Sequence, residues 1–293
     1  MRFEVLKRDA EIDYWRDVAN GGDRTSLRAE LEAKWKELDT EFGFVAACNE
    51  GGEFMAPEKI VRIKQIAQRT WLRTFDDRIG LSQEERTRGG NVPAPSLPVV
   101  EQLLADKPEH VTERGAVDVL PAENAWSFRL QVPRYKRNNG EISNLCIGRG
   151  TLTEEERYAI NDHVVQTIRM LSQLPFPKHL KKVPEIAGGH HEKLDGTGYP
   201  KRLSGDELSV PARILAIADI FEALTARDRP YKTGRTLSQA IKIMASMSRE
   251  RHIDAALFEL FLTSGVYHRY ATRFLEPAQI DEVDAAAHVS SAV

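Results

Sequence analysis

The sequence predicts a mainly α-helical protein: an N-terminal helical region, a small β-hairpin in the middle, and a second helical bundle towards the C-terminus. Three observations predict it. Apolar residues recur at helical spacing through most of the 293 residues. Proline in the first turn, or a Ser, Thr or Asp cap, opens several of those stripes. Alternation of period two is confined to one stretch, residues 126–147.

The elements follow in order. Leu27, Leu31, Trp35 and Leu38 form an i, i+4, i+8, i+11 stripe on a charged helix, and Asn49-Glu50-Gly51-Gly52 interrupts it. Pro57 suits the first turn of the next helix, whose face is Ile60, Ile63, Ala67 and Trp71. From Gly89 to about Leu120 the pattern weakens. Pro93, Pro95 and Pro98 indicate an irregular connector with one short helix over Val99 to Leu104. Phe128 to Val132 alternates, Asn138-Asn139-Gly140 signals a turn, and Ile142 to Ile147 reads as the returning strand. Thr153 with Glu156 makes a capping box for a helix carrying Ile160, Val164, Ile168 and Leu171, stopped by Pro175 and Pro177. A short helix starts at Pro184. Pro211 opens a strongly apolar one, Thr236 with Gln239 caps another, and Asp254 caps the last. Asp281 to Val293 reads as a frayed tail.

Composition narrows the function. The length is about two domains' worth, and 41% hydrophobic content can bury a core. No apolar run reaches the roughly 18 residues of a membrane span, and the start lacks a signal-peptide core, so the reading is a soluble, cytoplasmic chain. A net charge of -3 argues against gripping long nucleic acid, so a phosphate-bearing ligand should be small and locally held. Cys48 and Cys146 have no C-x-x-C spacing, which excludes a cysteine zinc site and suits two thiols in a reducing compartment.

The chemistry is concentrated in Gly188-Gly189-His190-His191-Glu192-Lys193-Leu194-Asp195-Gly196-Thr197-Gly198-Tyr199-Pro200. Adjacent histidines can serve two neighbouring metal ions, and neutral imidazole suits iron, manganese and zinc. A zincin site is excluded, because position 195 is aspartate where a second histidine would be needed. Asp219 is the one charge in Ile214 to Phe221. It should be largely buried, and therefore protonated, paired with a base such as Arg213, or bound to metal. His163 lies at the edge of its helix's apolar stripe, as a core histidine or a ligand. Three helices supplying imidazole or carboxylate would be a common way to build a metal site.

The string His190-His191-Glu192-x-x-Asp195-Gly196-x-Gly198-Tyr199-Pro200 resembles the signature of the HD-GYP family, bacterial HD-superfamily phosphohydrolases that cleave cyclic dinucleotides such as cyclic di-GMP. The similarity extends through Gly150 to Glu156, His163, Ala218-Asp219-x-x-Glu222-Ala223-Leu224-Thr225 and Asp228-Arg229-Pro230-Tyr231-Lys232, covering about residues 148–265. The resemblance implies a partial HD-superfamily helical bundle. It makes His163, His190, His191 and Asp219 ligands of two or more divalent ions (Fe, Mn or Zn), with Asp219, His190 and His191 catalytic. It makes Arg229 and Lys232 phosphate-contacting cations, and places Tyr199, Gly198 and Pro200 against substrate or a signalling protein partner.

The chain departs from the family in one respect: none of its eight histidines is followed by aspartate, so the name-giving dyad is missing. Leu104-Ala105-Asp106-Lys107 and Arg137-Asn138-Asn139-Gly140-Glu141 echo it without the histidine. One reading is a degenerate, non-catalytic module that binds a nucleotide or protein. The other takes residues 1–147 as a helical insertion placed after the dyad, with the dyad and a GAF-type sensory domain upstream of Met1. The expected organisation is 1–147 accessory region, 148–272 HD-GYP portion and 273–293 flexible tail.

Overall fold

The computed structural model describes residues 1–88, 93–115, 118, 124–227 and 234–288. It divides into two compact units: Met1–Val119 with Pro133–Arg157, and Leu120–Val132 with Tyr158–Val293.

In the first unit, α1 (Arg2–Ala19) and α2 (Arg24–Asn49) pack as a helical hairpin. Asp23 caps α2 by accepting from the Ser26 amide at 2.8 Å, and Leu31 and Leu38 of the predicted stripe are buried. Pro57 opens α3 (Pro57–Ala67), which buries Ile63, Ile66 and Ala67. The helix stops before Trp71, which belongs to β1 (Thr70–Arg73). After α4 (Gln83–Arg88), β2 (Val99–Gln102) pairs antiparallel with β1 in the register Thr70↔Gln102. The short helix expected over Val99 to Leu104 is therefore a strand. Val99 and Val100 are β-branched, and β1 supplies the ladder a local reading could not see.

The predicted hairpin is also rebuilt. β3 (Val111–Glu113) pairs with β4 (Tyr135–Asn138), while Ile142 to Ile147 does not return as a strand. Instead α5 (Glu141–Leu145) forms there, because the Asp106 carboxylate accepts from the Ile142 and Ser143 amides at 2.9 and 3.2 Å and from Ser143 Oγ at 2.6 Å. A capping group 36 residues away decides the matter. The two stretches that echo a His-Asp dyad thus meet as a helix and its cap.

α6 (Glu154–Ser172) begins at the end of the first unit and runs into the second. Its capping box is present: Thr153 Oγ1 accepts from the Glu156 amide at 3.2 Å, and Glu156 from the Thr153 amide at 2.9 Å. The buried face is Val164, Val165 and Ile168, whereas Ile160 is exposed. α7 (Val183–Gly189) and α8 (Val210–Thr225) pack together, and α9 (Leu237–Arg249), α10 (Ala255–Thr263) and α11 (Val266–Phe274) complete the unit. Its main core joins Ile217, Phe221, Ile241, Met244, Phe258 and Leu262. Asp254 caps α10 through the Leu257 amide at 3.0 Å. The segment expected to fray from Asp281 is tied down. Asp281 accepts from the Ser238 amide and hydroxyl at 2.7 and 2.6 Å, and Val283 and Ala285 pack on the core. Residues 289–293 lie outside the described residues. No described helix is long and apolar enough to cross a membrane.

Candidate metal centre

α6 and α7 are brought close by a glycine. A Cβ on Gly188 would meet Ile168 of α6 at 2.5 Å, and one on Gly189 would meet Ala212 of α8 at 3.0 Å. Only a side-chain-free last turn lets α7 sit this deep, and His190 and His191 follow directly at its C-terminal end.

There they meet His163. One ring nitrogen from each of His163, His190 and His191 lies within 4.8 Å of the others, the one such cluster of candidate ligands among the described residues. The ring centroids of His190 and His191 are 4.1 Å apart, and those of His163 and His191 are 5.2 Å apart. Local hydrogen bonds set two of the tautomers. His163 Nδ1 contacts the Ile160 carbonyl, and His190 Nδ1 contacts the Ala187 carbonyl at 2.6 Å. A carbonyl only accepts, so both Nδ1 atoms carry hydrogen, which leaves Nε2 as the nitrogen through which each ring would ligate a cation. His191 makes no such bond. Burial, with His190 and His163 beside it, pushes its pKa down to about 4 against the opposing pull of Asp219. Near neutral pH its imidazole is uncharged, the form a metal requires.

Asp219, on α8, is half-buried rather than largely buried. It lies close enough to raise the pKa of both His191 and Tyr199. Arg213, the base considered for it, is engaged elsewhere and pairs with Asp254 at 2.6 Å. The donors present, three imidazoles with a carboxylate nearby, fit a divalent transition-metal ion such as iron, manganese or zinc.

The loop after His191 is held from within. The Glu192 carboxylate, in a residue only 3% exposed, accepts from the Lys201 amide at 2.6 Å and the Leu203 amide at 2.9 Å. Burial raises its pKa, and the backbone donors oppose that rise. Asp195 accepts from the Thr197 amide and hydroxyl at 2.8 and 2.7 Å, and Gly196 takes a φ of +77° that a side chain would strain. Gly198 passes so close to Glu192 that a Cβ would lie 2.4 Å from the Glu192 Cα. Gly198 and Pro200 are buried, so they shape the loop from beneath the surface. Tyr199 is half-buried and stacks on His191, with ring centroids 4.8 Å apart and an interplanar angle of 22°. Burial, with Asp219 adding to it, pushes its phenol up to about 12, so it stays neutral.

Sequence reasoning gave Glu192 no role, and it read Phe128 to Val132 as part of a distant hairpin. In the structure Phe128 is buried against Val164, Val165 and Ile168, with Trp126, Leu130 and Tyr199 packed on the same cluster. The Arg129 amide donates to the Pro200 carbonyl at 2.7 Å. The alternation of Phe128 and Leu130 was the available signal: it marked one inward face correctly, although the face meets a helix and a loop. Arg229 and Lys232 lie outside the described residues.

Comparison with known proteins agrees with this region. A family model described as HD domain matches residues 98–257. Residues of the chain are 44% identical over 105 positions to a 3'3'-cGAMP-specific phosphodiesterase of Vibrio cholerae, covering 35% of this chain and 22% of that protein. A cyclic di-GMP phosphodiesterase of Pseudomonas aeruginosa is 35% identical over 135 residues (46% and 31%), and one of Thermotoga maritima 39% over 99 residues (34% and 26%). The chain thus spans between about a fifth and a third of the length of these relatives.

Proposed function

The chain belongs to the HD domain family, and from that premise we propose that it is a metal-dependent phosphohydrolase of the HD-GYP type, cleaving a phosphodiester of a cyclic dinucleotide in bacterial signalling. The observation that carries the reading is the convergence of His163, His190 and His191 from two helical regions onto one point, with ligand atoms within 4.8 Å. The names of the relatives support the substrate class.

His163, His190 and His191, with Asp219, would hold divalent cations, iron, manganese or zinc. Bound there, such ions supply the charge that polarises a phosphodiester and lowers the pKa of an attacking water. The chain's own residues do the rest. Two carbonyls hold the His163 and His190 rings in the ligating tautomer. Tyr199 covers one side of the His191 ring, and the buried Glu192 holds the loop that carries Tyr199. Arg229 and Lys232 are assigned to the charge on the phosphate by resemblance, and Tyr199 to the wall facing substrate or a signalling partner, with the buried Gly198 and Pro200 shaping the loop behind it. The proposal includes a cytoplasmic setting and, in the whole protein, a GAF-type sensory domain.

The missing His-Asp pair favours a second reading, a module that binds nucleotide without turning it over. One experiment separates the two. The protein is loaded with Mn2+ or Fe2+, its metal content is measured, and it is incubated with cyclic di-GMP and 3'3'-cGAMP while linear products are followed by chromatography. The hydrolase reading expects bound metal and linear dinucleotide, both lost in Asp219→Ala. Metal content and turnover unchanged in Asp219→Ala would overturn the site, and calorimetric nucleotide binding without product would establish the binder.

A further inference from the structure

We propose that Tyr199 is a positioning residue that fixes the ring of His191 for ligation, and that Glu192 keeps it there by clamping the loop that carries it. The inference rests on reading the three imidazoles as ligands.

The three rings are not held alike. His163 and His190 are each anchored through Nδ1 by a carbonyl one turn back on their own helices. The His191 ring makes no hydrogen bond in the described structure, yet a ligand must present its lone pair in one direction. A histidine whose second nitrogen is unheld rotates about χ1 and χ2 unless packing stops it. Packing does so here. The Tyr199 ring covers one side of His191 at 4.8 Å and 22°, and His190 lies against it at 4.1 Å and 40°.

Tyr199 is itself immobilised. Its amide donates to the His191 carbonyl at 3.2 Å, closing the loop on the residue it covers. Its ring packs against the cluster of Phe128, Val164, Val165 and Ile168. On either side of it the chain is pinned to Glu192, by the close passage of Gly198 before it and by the carboxylate's bonds to the Lys201 and Leu203 amides after it. Glu192 adjoins His191 in sequence, so one buried carboxylate ties the ligand and its cover to a single frame. Stacking needs the aromatic ring and not its hydroxyl, which makes no hydrogen bond in the described structure.

The test compares the wild-type chain with Tyr199→Phe, Tyr199→Leu and Glu192→Gln. It uses Mn2+ alone as the titrant in calorimetry and histidine ring proton shifts of the metal-free protein in NMR. Tyr199→Phe should bind Mn2+ within about twofold of wild type. Tyr199→Leu should bind about 10- to 100-fold more weakly, the range for losing a group that orients a ligand, and Glu192→Gln should move the same way. In wild type and Tyr199→Phe the His191 ring protons should show an upfield ring-current shift. It should shrink in Tyr199→Leu to what His190 alone supplies, with shift changes confined to the three clustered histidines, a local signature that a general packing defect would not give. Equal affinity of Tyr199→Leu and wild type overturns the proposal, and so does a Tyr199→Phe as weak as Tyr199→Leu. Should Tyr199→Leu not fold, the absence of the upfield shift in wild type overturns it instead. A wild-type chain that binds no Mn2+ sinks the metal-centre reading, while the ring-current shifts still decide whether Tyr199 holds His191.

Discussion

At the scale of single residues, the centre combines groups the sequence announces with groups it hides. His190, His191 and Asp219 stand out by type and neighbours. Glu192 does not, because its partners are backbone amides nine and eleven residues further on, and amides carry no side-chain signal. The engagement of Arg213 with Asp254 was equally hidden, since it joins residues 41 apart. The close passage at Gly198 predicts that Gly198→Ala destabilises the protein by about 1–3 kcal/mol, as forced overpacking does, measured by urea unfolding. The clash is with backbone, so no side chain can swing aside. A pH effect belongs to His252. Burial first, then Lys193, lowers its pKa below the usual 6.5, with Asp195 and Glu250 opposing. A histidine whose folded pKa is depressed adds stability above its unfolded value and loses it as pH falls towards the folded one. Unfolding midpoints should therefore drop between pH 7.5 and 5.5, where His191 acts in the same direction, and His252→Gln should make that part of the curve shallower without abolishing it.

At the scale of elements, what was legible in the sequence was what is locally encoded. The capping box of α6, the Pro57 start of α3 and the Asp254 cap of α10 each need only three or four neighbouring residues, and each is present. β2 and α5 were misread because remote partners decide them: the ladder from β1 in one case and the Asp106 carboxylate in the other. Thr153→Ala removes a cap without touching the core. It should lower stability by about 1 kcal/mol, seen as a shift in thermal midpoint, and leave Mn2+ affinity unchanged. An unchanged midpoint would mean that the box contributes nothing to α6.

At the scale of the whole molecule, the helical class was legible, but the membership of the segment around Phe128 was not. It groups with Tyr158–Val293 although its sequence neighbours 133–157 group with the N-terminal residues. Metal binding should be read out globally as well. A cation at 100 times its dissociation constant adds about 2.7 kcal/mol to stability, so Mn2+ should raise the thermal midpoint of wild type, and EDTA should reverse the rise. His190→Ala should show neither effect. The pairing of Arg213 with Asp254 has a consequence for the order of events. With that guanidinium paired to Asp254, Arg213 does not neutralise the Asp219 carboxylate beside the three imidazoles, which leaves that corner hospitable to cations. The expected order of loading is ion before nucleotide. Chelated protein should give no heat with a cyclic dinucleotide in calorimetry, and nucleotide uptake should rise with free Mn2+ along the ion's own binding curve.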